Sequence, residues 1–137
     1  MGRSGLLKLE TFLNTALFEA RLKEWSVPFA VVADLETGDA IRIGCSKGLG
    51  FDDLEANLFR DADSVFATGR SLDGQILPRI WSQGTISCIV CKPDEKTMVG
   101  LFFSDQLNPV EKYYRSKQLN SQILSTFSEI KGSKPAQ

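Results

Sequence analysis

The chain has 137 residues, 42% of them apolar and 24% charged, and its 16 basic and 17 acidic side chains leave a formal net charge of −1. This predicts a single globular domain over 1–137, large enough to bury a core without staples, with an ordered part from about 6 to 131 and a flexible tail over 132–137. The balanced charge excludes the basic footprint of a nucleic-acid binder. The absence of histidine removes Ser-His-Asp and Cys-His catalysis, His-ligated metal sites and His-based pH switching.

At the N-terminus, Lys8, Glu10 and Asn14 interrupt the apolar residues, so no signal-peptide core exists, and no window reaches the ~18 apolar residues of a membrane helix. Gly2 is followed by Leu6 where a myristoylation signal places Ser or Thr. Three cysteines, an odd number, suit a reducing compartment. A cytoplasmic protein without membrane attachment is expected.

Leu6, Leu9, Leu13, Ala16, Leu17 and Ala20, with Phe12 beside them, recur at steps of three and four and predict an amphipathic helix over 6–24. "WSVP" ends it, because Pro28 disfavours helix for the residue before it. "FAVVADLETGDAIRIGCS" then reads as a β-hairpin, its turn at "LETGD" with Gly38 supplying a positive φ. After the glycines of "KGLG", Asp52 or Asp53 is placed to cap a second helix, striped by Leu54, Leu58, Ala62, Val65 and Phe66 and stopped at Gly69.

"QILPRIWSQ" predicts an edge or bulged strand, since Pro78 has no amide to give to a ladder. "TISCIVC" and "TMVGLFF" flank the turn-rich "KPDEK" and predict a hairpin of central strands, apolar on both faces. The last helix has the clearest start in the chain: Asn108 as cap, Pro109 at the first helical position and Glu111 three residues after the cap. Tyr113, Leu119 or Asn120, Ile123, Phe127 and Ile130 carry its stripe, and Gly132 ends it.

The only pattern with chemical promise is "SCIVC", where Cys88 and Cys91 stand at C-x-x-C spacing. A redox pair of this kind sits at a helix N-terminus, whereas these cysteines sit inside a strand. Residues three apart in a strand point to opposite faces, so the two sulfurs should be separated by the sheet. A structural zinc would need a second ligand pair, and only Cys45 remains. Both are therefore read as small apolar core residues.

"GCSKGLG" lies between a strand and a helix but matches neither phosphate-loop spacing; it reads as a connector that could still meet an anion at the helix start. The acids Asp34, Glu36 and Asp39, and Asp52, Asp53 and Glu55, fit turn and helix-dipole chemistry without a metal. No catalytic residue, metal or cofactor is expected. Ile76, Ile80 and Trp81 fall on the predicted edge strand, where large apolar groups are a liability. Either a helix covers them or a second copy of the chain pairs there.

The resulting order is helix, two strands, helix, three strands, helix. This α+β pattern, with a five-stranded, mostly antiparallel sheet covered by helices, resembles the roadblock/LC7 (dynein light chain, MglB-like) family and its profilin-like relatives. The resemblance is carried by "PFAVVADLETGDAI", "RIWSQGTISCIVCKPDEKTMVGLFFSD" and "NPVEKYYRSKQLNSQI", and spans most of 6–130. It implies a non-enzymatic homodimer in which the second helix and third strand of each copy meet across a two-fold axis, joining two sheets into one. It also implies a scaffold or a regulator of small Ras-like GTPases. Leu58, Phe59, Val65 and Phe66 on the helix, and Ile76, Ile80 and Trp81 on the strand, become interface candidates. The alternative is a small-molecule-sensing domain, because profilin-like sheets are close in layout to PAS and GAF domains.

Overall fold

A computed structural model describes residues 15–132. In chain order it contains α1 (Thr15–Glu24), β1 (Phe29–Asp34), β2 (Ala40–Gly44), α2 (Asp52–Phe59), α3 (Ala62–Ser71), β3 (Arg79–Gln83), β4 (Ile86–Asp94), β5 (Thr97–Ser104) and α4 (Pro109–Gly132). The five strands form one antiparallel sheet in the order β2-β1-β5-β4-β3. The expected α+β class, both hairpins and the edge position of β3 are all present.

Side-chain alternation along the strands divides the core in two. On one face Ala30, Val32, Ile89, Val99, Leu101 and Phe103 pack against Phe18 and Leu22 of α1 and against Leu119, Ile123, Phe127 and Ile130 of α4. On the other, Phe29, Val31, Cys88, Val90, Met98 and Phe102 meet Leu54, Leu58, Phe59 and Val65 of α2 and α3. Burial on both faces explains why β1, β4 and β5 read as continuous apolar runs instead of alternating ones.

The first hairpin turns on Asp34, whose Oδ1 accepts from the amides of Glu36 at 2.7 Å and Thr37 at 3.3 Å. Gly38, at φ 81°, completes the turn as expected. The β4–β5 hairpin is tighter than the polar stretch suggests, because β4 runs on through Lys92 and Pro93 to Asp94. The register slips between Cys91 and Asp94, where Pro93 has no N–H for the ladder.

Several local expectations need correction. In α1 the core-facing residues are Phe18 and Leu22, while Ala16 and Ala20 are exposed; alanine has too little apolar area to decide which face a helix buries. Leu6, Leu9, Phe12 and Leu13 lie outside the described residues. The second helix is two helices. Asp61 adopts an extended conformation (φ −151°, ψ −176°) and caps α3, its Oδ1 accepting from the Ser64 amide at 2.9 Å and the Ser64 hydroxyl at 3.0 Å. Those bonds hold the Asp61 carboxyl below its ordinary pKa.

The break leaves Ala62 exposed at the start of α3 and leaves the last carbonyls of α2 needing donors. Thr68 Oγ1 donates to Leu58 O at 2.9 Å, and Arg42 Nη2 to Phe59 O at 3.1 Å. Asp52 and Asp53 do not cap α2: they lie in its first turn, and the preceding Phe51 makes no side-chain cap bond. Gly69 does not stop the third helix either. It is buried within it because Leu35 Cδ2 occupies the space of a Cβ, 2.8 Å from where one would stand.

The start of α4 is as expected. Asn108 Oδ1 accepts from the Glu111 amide at 2.9 Å, and Glu111 Oε1 accepts from the Asn108 amide at 3.1 Å. Leu119, Ile123, Phe127 and Ile130 form the buried stripe, but Tyr113 is 52% exposed, with Tyr114 and Val110.

Candidate interaction surface on the β3 edge

β3 follows an irregular stretch that ends at Pro78 and is joined to β4 by the two-residue turn Gly84–Thr85. Among the described residues it pairs with β4 alone, Arg79 opposite Val90 through Gln83 opposite Ile86. Its other side meets no further strand among the described residues, and such an edge is the template that invites one. Trp81 points to the α2–α3 face, half-buried against that core cluster with Leu77 and Ile86, while Ile80 lies half-buried on the opposite face. The Arg79 guanidinium stands 5.6 Å over the Trp81 ring and donates to Gln75 Oε1 at 2.7 Å. A cation over an indole shields one face of the ring from water and fixes the guanidinium beside it.

The residues singled out from the sequence separate into two sets. Leu58, Phe59 and Val65 are buried at 4%, 1% and 0% exposure against this chain's own sheet, so their side chains shape the helices instead of lining a surface. Phe66, Ile80 and Trp81 are half-buried. Ile76 is 83% exposed, and it precedes β3 instead of lying on it. Sequence reasoning missed Arg42, which pairs with Glu55 and bonds Phe59 O, tying the β2 edge to α2. Its position in an alternating strand marks only that it leaves the α1–α4 face.

The cysteines fall on opposite sides of the sheet, Cys88 in the α2–α3 core and Cys91 in the α1–α4 core. Burial pushes the Cys88 thiol well above its ordinary value and that of Cys91 up to about 12. Cys45 is exposed. Folded protein should therefore show one thiol reacting promptly with an aromatic disulfide reagent at mildly alkaline pH, and two more only after denaturation. Prompt reaction of all three would contradict the buried placement. Among the described residues no group of three or more Cys, Asp or Glu is placed to hold a metal ion, and no helix is long and apolar enough to cross a membrane.

The described residues include two depressions beside the sheet. One is an open cleft of about 460 Å³ lined by Leu22, Val27, Leu49, Phe51 and Phe103, with Lys23 at its margin. The other, about 200 Å³, lies between Leu35, Phe66, Arg70 and Lys92. The two core clusters pack directly against the sheet faces.

No family model matches the chain, and no curated protein matches it significantly. Among solved structures it is similar to Myxococcus xanthus MglB, with a TM-score of 0.54 and 14% sequence identity over 84% of this chain and 94% of that one. The fold is roadblock-like. At this identity the likeness lies in the path of the backbone, and it extends over nearly the whole of the MglB chain. α2 and α3, which stand where the sequence predicts a single second helix, lie on the same side of the sheet as Trp81.

Proposed function

We propose that this chain is a non-enzymatic, cytoplasmic protein-interaction module that works as a homodimer, as a scaffold or as a regulator of a small Ras-like GTPase. The observation that carries the reading is the open β3 edge, which bears the half-buried Ile80 and Trp81 beside the α2–α3 layer of a roadblock-like fold. An edge strand with an aromatic anchor suits a partner that supplies both backbone hydrogen bonds and apolar cover. In this dimer Ile80 and Trp81 form the strand part of the interface, with Phe66 and Ile76 at its margin. Leu58, Phe59 and Val65 hold α2 and α3 in place from behind.

Light scattering is expected to give the mass of a dimer. Trp81→Glu should weaken self-association by roughly 30-fold or more, the loss typical of an interface hot spot, with far-UV circular dichroism unchanged. A wild-type protein that stays monomeric at high concentration would sink the reading. The GTPase role is tested with purified Ras-like GTPases loaded with GDP or a non-hydrolysable GTP analogue. Nucleotide-dependent binding, or a change in hydrolysis rate, is expected; neither would be seen if the dimer serves only as a scaffold.

A further inference from the structure

We propose that the cleft at the end of α1 binds a straight-chain monocarboxylate of about ten carbons, a fatty acid held by both its tail and its head. The inference is independent of the dimeric reading above. Leu22, Val27, Phe51 and Phe103 give the cleft of about 460 Å³ its apolar lining. Counting ~30 Å³ for each water-sized group, the twelve non-hydrogen atoms of decanoate fit within that volume. Two of the lining rings are fixed by other contacts: Phe51 stacks on Phe29 at 6.1 Å, and the Arg115 guanidinium stands 4.4 Å over the Phe103 ring. A wall that is already ordered costs a ligand less to bind. Leu49 also lines the cleft and is 41% exposed. It stands between Gly48 and Gly50, at φ 72° and 78°, and neither glycine has an atom within 4 Å of a built Cβ. An alkyl chain in the cleft would give this apolar side chain the cover it lacks.

The polar part of the cleft selects the head group. Among the described residues Lys23 is the one charged residue of the lining, and it makes no ion pair there. The adjacent Glu24 is taken up by Arg21 at 3.2 Å. An apolar cleft with one free ammonium and no acid is complementary to an amphipathic anion. Ser26 supplies a second donor. The end of α1 closes through Val27 N to Leu22 O at 2.9 Å and Ser26 N to Lys23 O at 3.2 Å, with Ser26 at φ 59°. Helices that end in this way ordinarily place glycine there, because a Cβ at positive φ is strained. A serine at this position costs stability and sets a hydroxyl in the same lining as Lys23. Backbone strain of this kind gathers at ligand sites. A carboxylate that accepts from Lys23 Nζ and Ser26 Oγ, with its chain laid over the apolar lining, uses both groups.

The test is isothermal titration of the full chain with hexanoate, octanoate and decanoate below their micelle concentrations, with amide chemical shifts mapping the site. Decanoate is expected to shift Leu22, Val27, Leu49 and Phe51, and each added methylene to tighten binding by about two- to fourfold. Decanol, which has the tail without the charge, should bind more weakly. Lys23→Gln should lower decanoate affinity by about two- to fivefold and leave decanol unchanged. Ser26→Gly separates binding from folding: it should raise Tm by a few degrees and yet weaken decanoate by about two- to tenfold. A rise in Tm with affinity unchanged overturns the part given to the Ser26 hydroxyl. The proposal as a whole is overturned if decanoate does not bind, if affinity fails to rise with chain length, if decanol binds as well as decanoate, or if the shifts lie away from the cleft.

Discussion

Gly100→Ala is expected to cost about 2–3 kcal/mol of stability, a fall of roughly 6–12 °C in Tm for a chain of this size. Gly100 lies on β5, the middle strand of the sheet, where a glycine ordinarily weakens pairing and packs nothing. Its missing Cβ is the space into which the Phe59 ring fits. A Cβ there would stand 2.6 and 2.7 Å from Phe59 Cε2 and Cζ and 3.1 Å from Cys88 Sγ. Phe59 cannot easily withdraw, because it is 1% exposed and packs edge-on against Phe102 at 6.1 Å. Thermal or urea unfolding measures the loss. Phe59→Leu shortens the ring that clashes, so the double variant should cost at least ~0.5 kcal/mol less than the sum of the two singles. Strict additivity would show that the ring and the glycine do not share this space.

Gly38→Ala should be at least as damaging, at about 3 kcal/mol, for two separable reasons. At φ 81° an L-residue with a Cβ costs roughly 1–2 kcal/mol. The added Cβ would also stand 2.5 Å from Ala62 Cβ, 2.8 Å from Ala62 Cα and 3.0 Å from Phe66 Cζ. Ala62 is the first residue of α3, held by the Asp61 cap, so the clash is with backbone and has no soft side chain to absorb it. Gly48 is the control: it has φ 72° and nothing within 4 Å of a built Cβ, so Gly48→Ala should cost only the ~1–2 kcal/mol of the conformation. The difference between the two variants measures how firmly the β1–β2 turn is seated on α3. Equal costs would mean that the turn shifts freely away from the helix.

Both glycines show where reading from sequence stops. Gly38 is legible as a turn residue, because the acidic and glycine pattern around it is local. That its turn lies against a helix more than twenty residues further on is not legible. Gly100 reads only as a gap in an apolar run, and the ring that fills the gap belongs to another element. The α2–α3 break has a local signal, Asp61 three residues before Ser64, but the apolar spacing of Leu58, Ala62 and Val65 runs straight across it. The candidate surface behaves in the same way. Helical spacing picked out Leu58, Phe59 and Val65 because it marks the face a helix buries, and in this fold that face lies on the chain's own sheet.

By itself the sequence determined whatever depends on neighbours a few residues apart. The Asn108–Glu111 capping box, the Asp34 turn and the placement of Cys88 and Cys91 on opposite faces all follow from local hydrogen bonding or strand period. Only the tertiary structure decided which face of α1 is buried, that Gly69 and Gly100 are slots for Leu35 and Phe59, and that Trp81 and Ile80 stay half-uncovered at the end of the sheet. Those outcomes depend on which elements meet, and close packing between distant segments leaves no periodic trace in either of them.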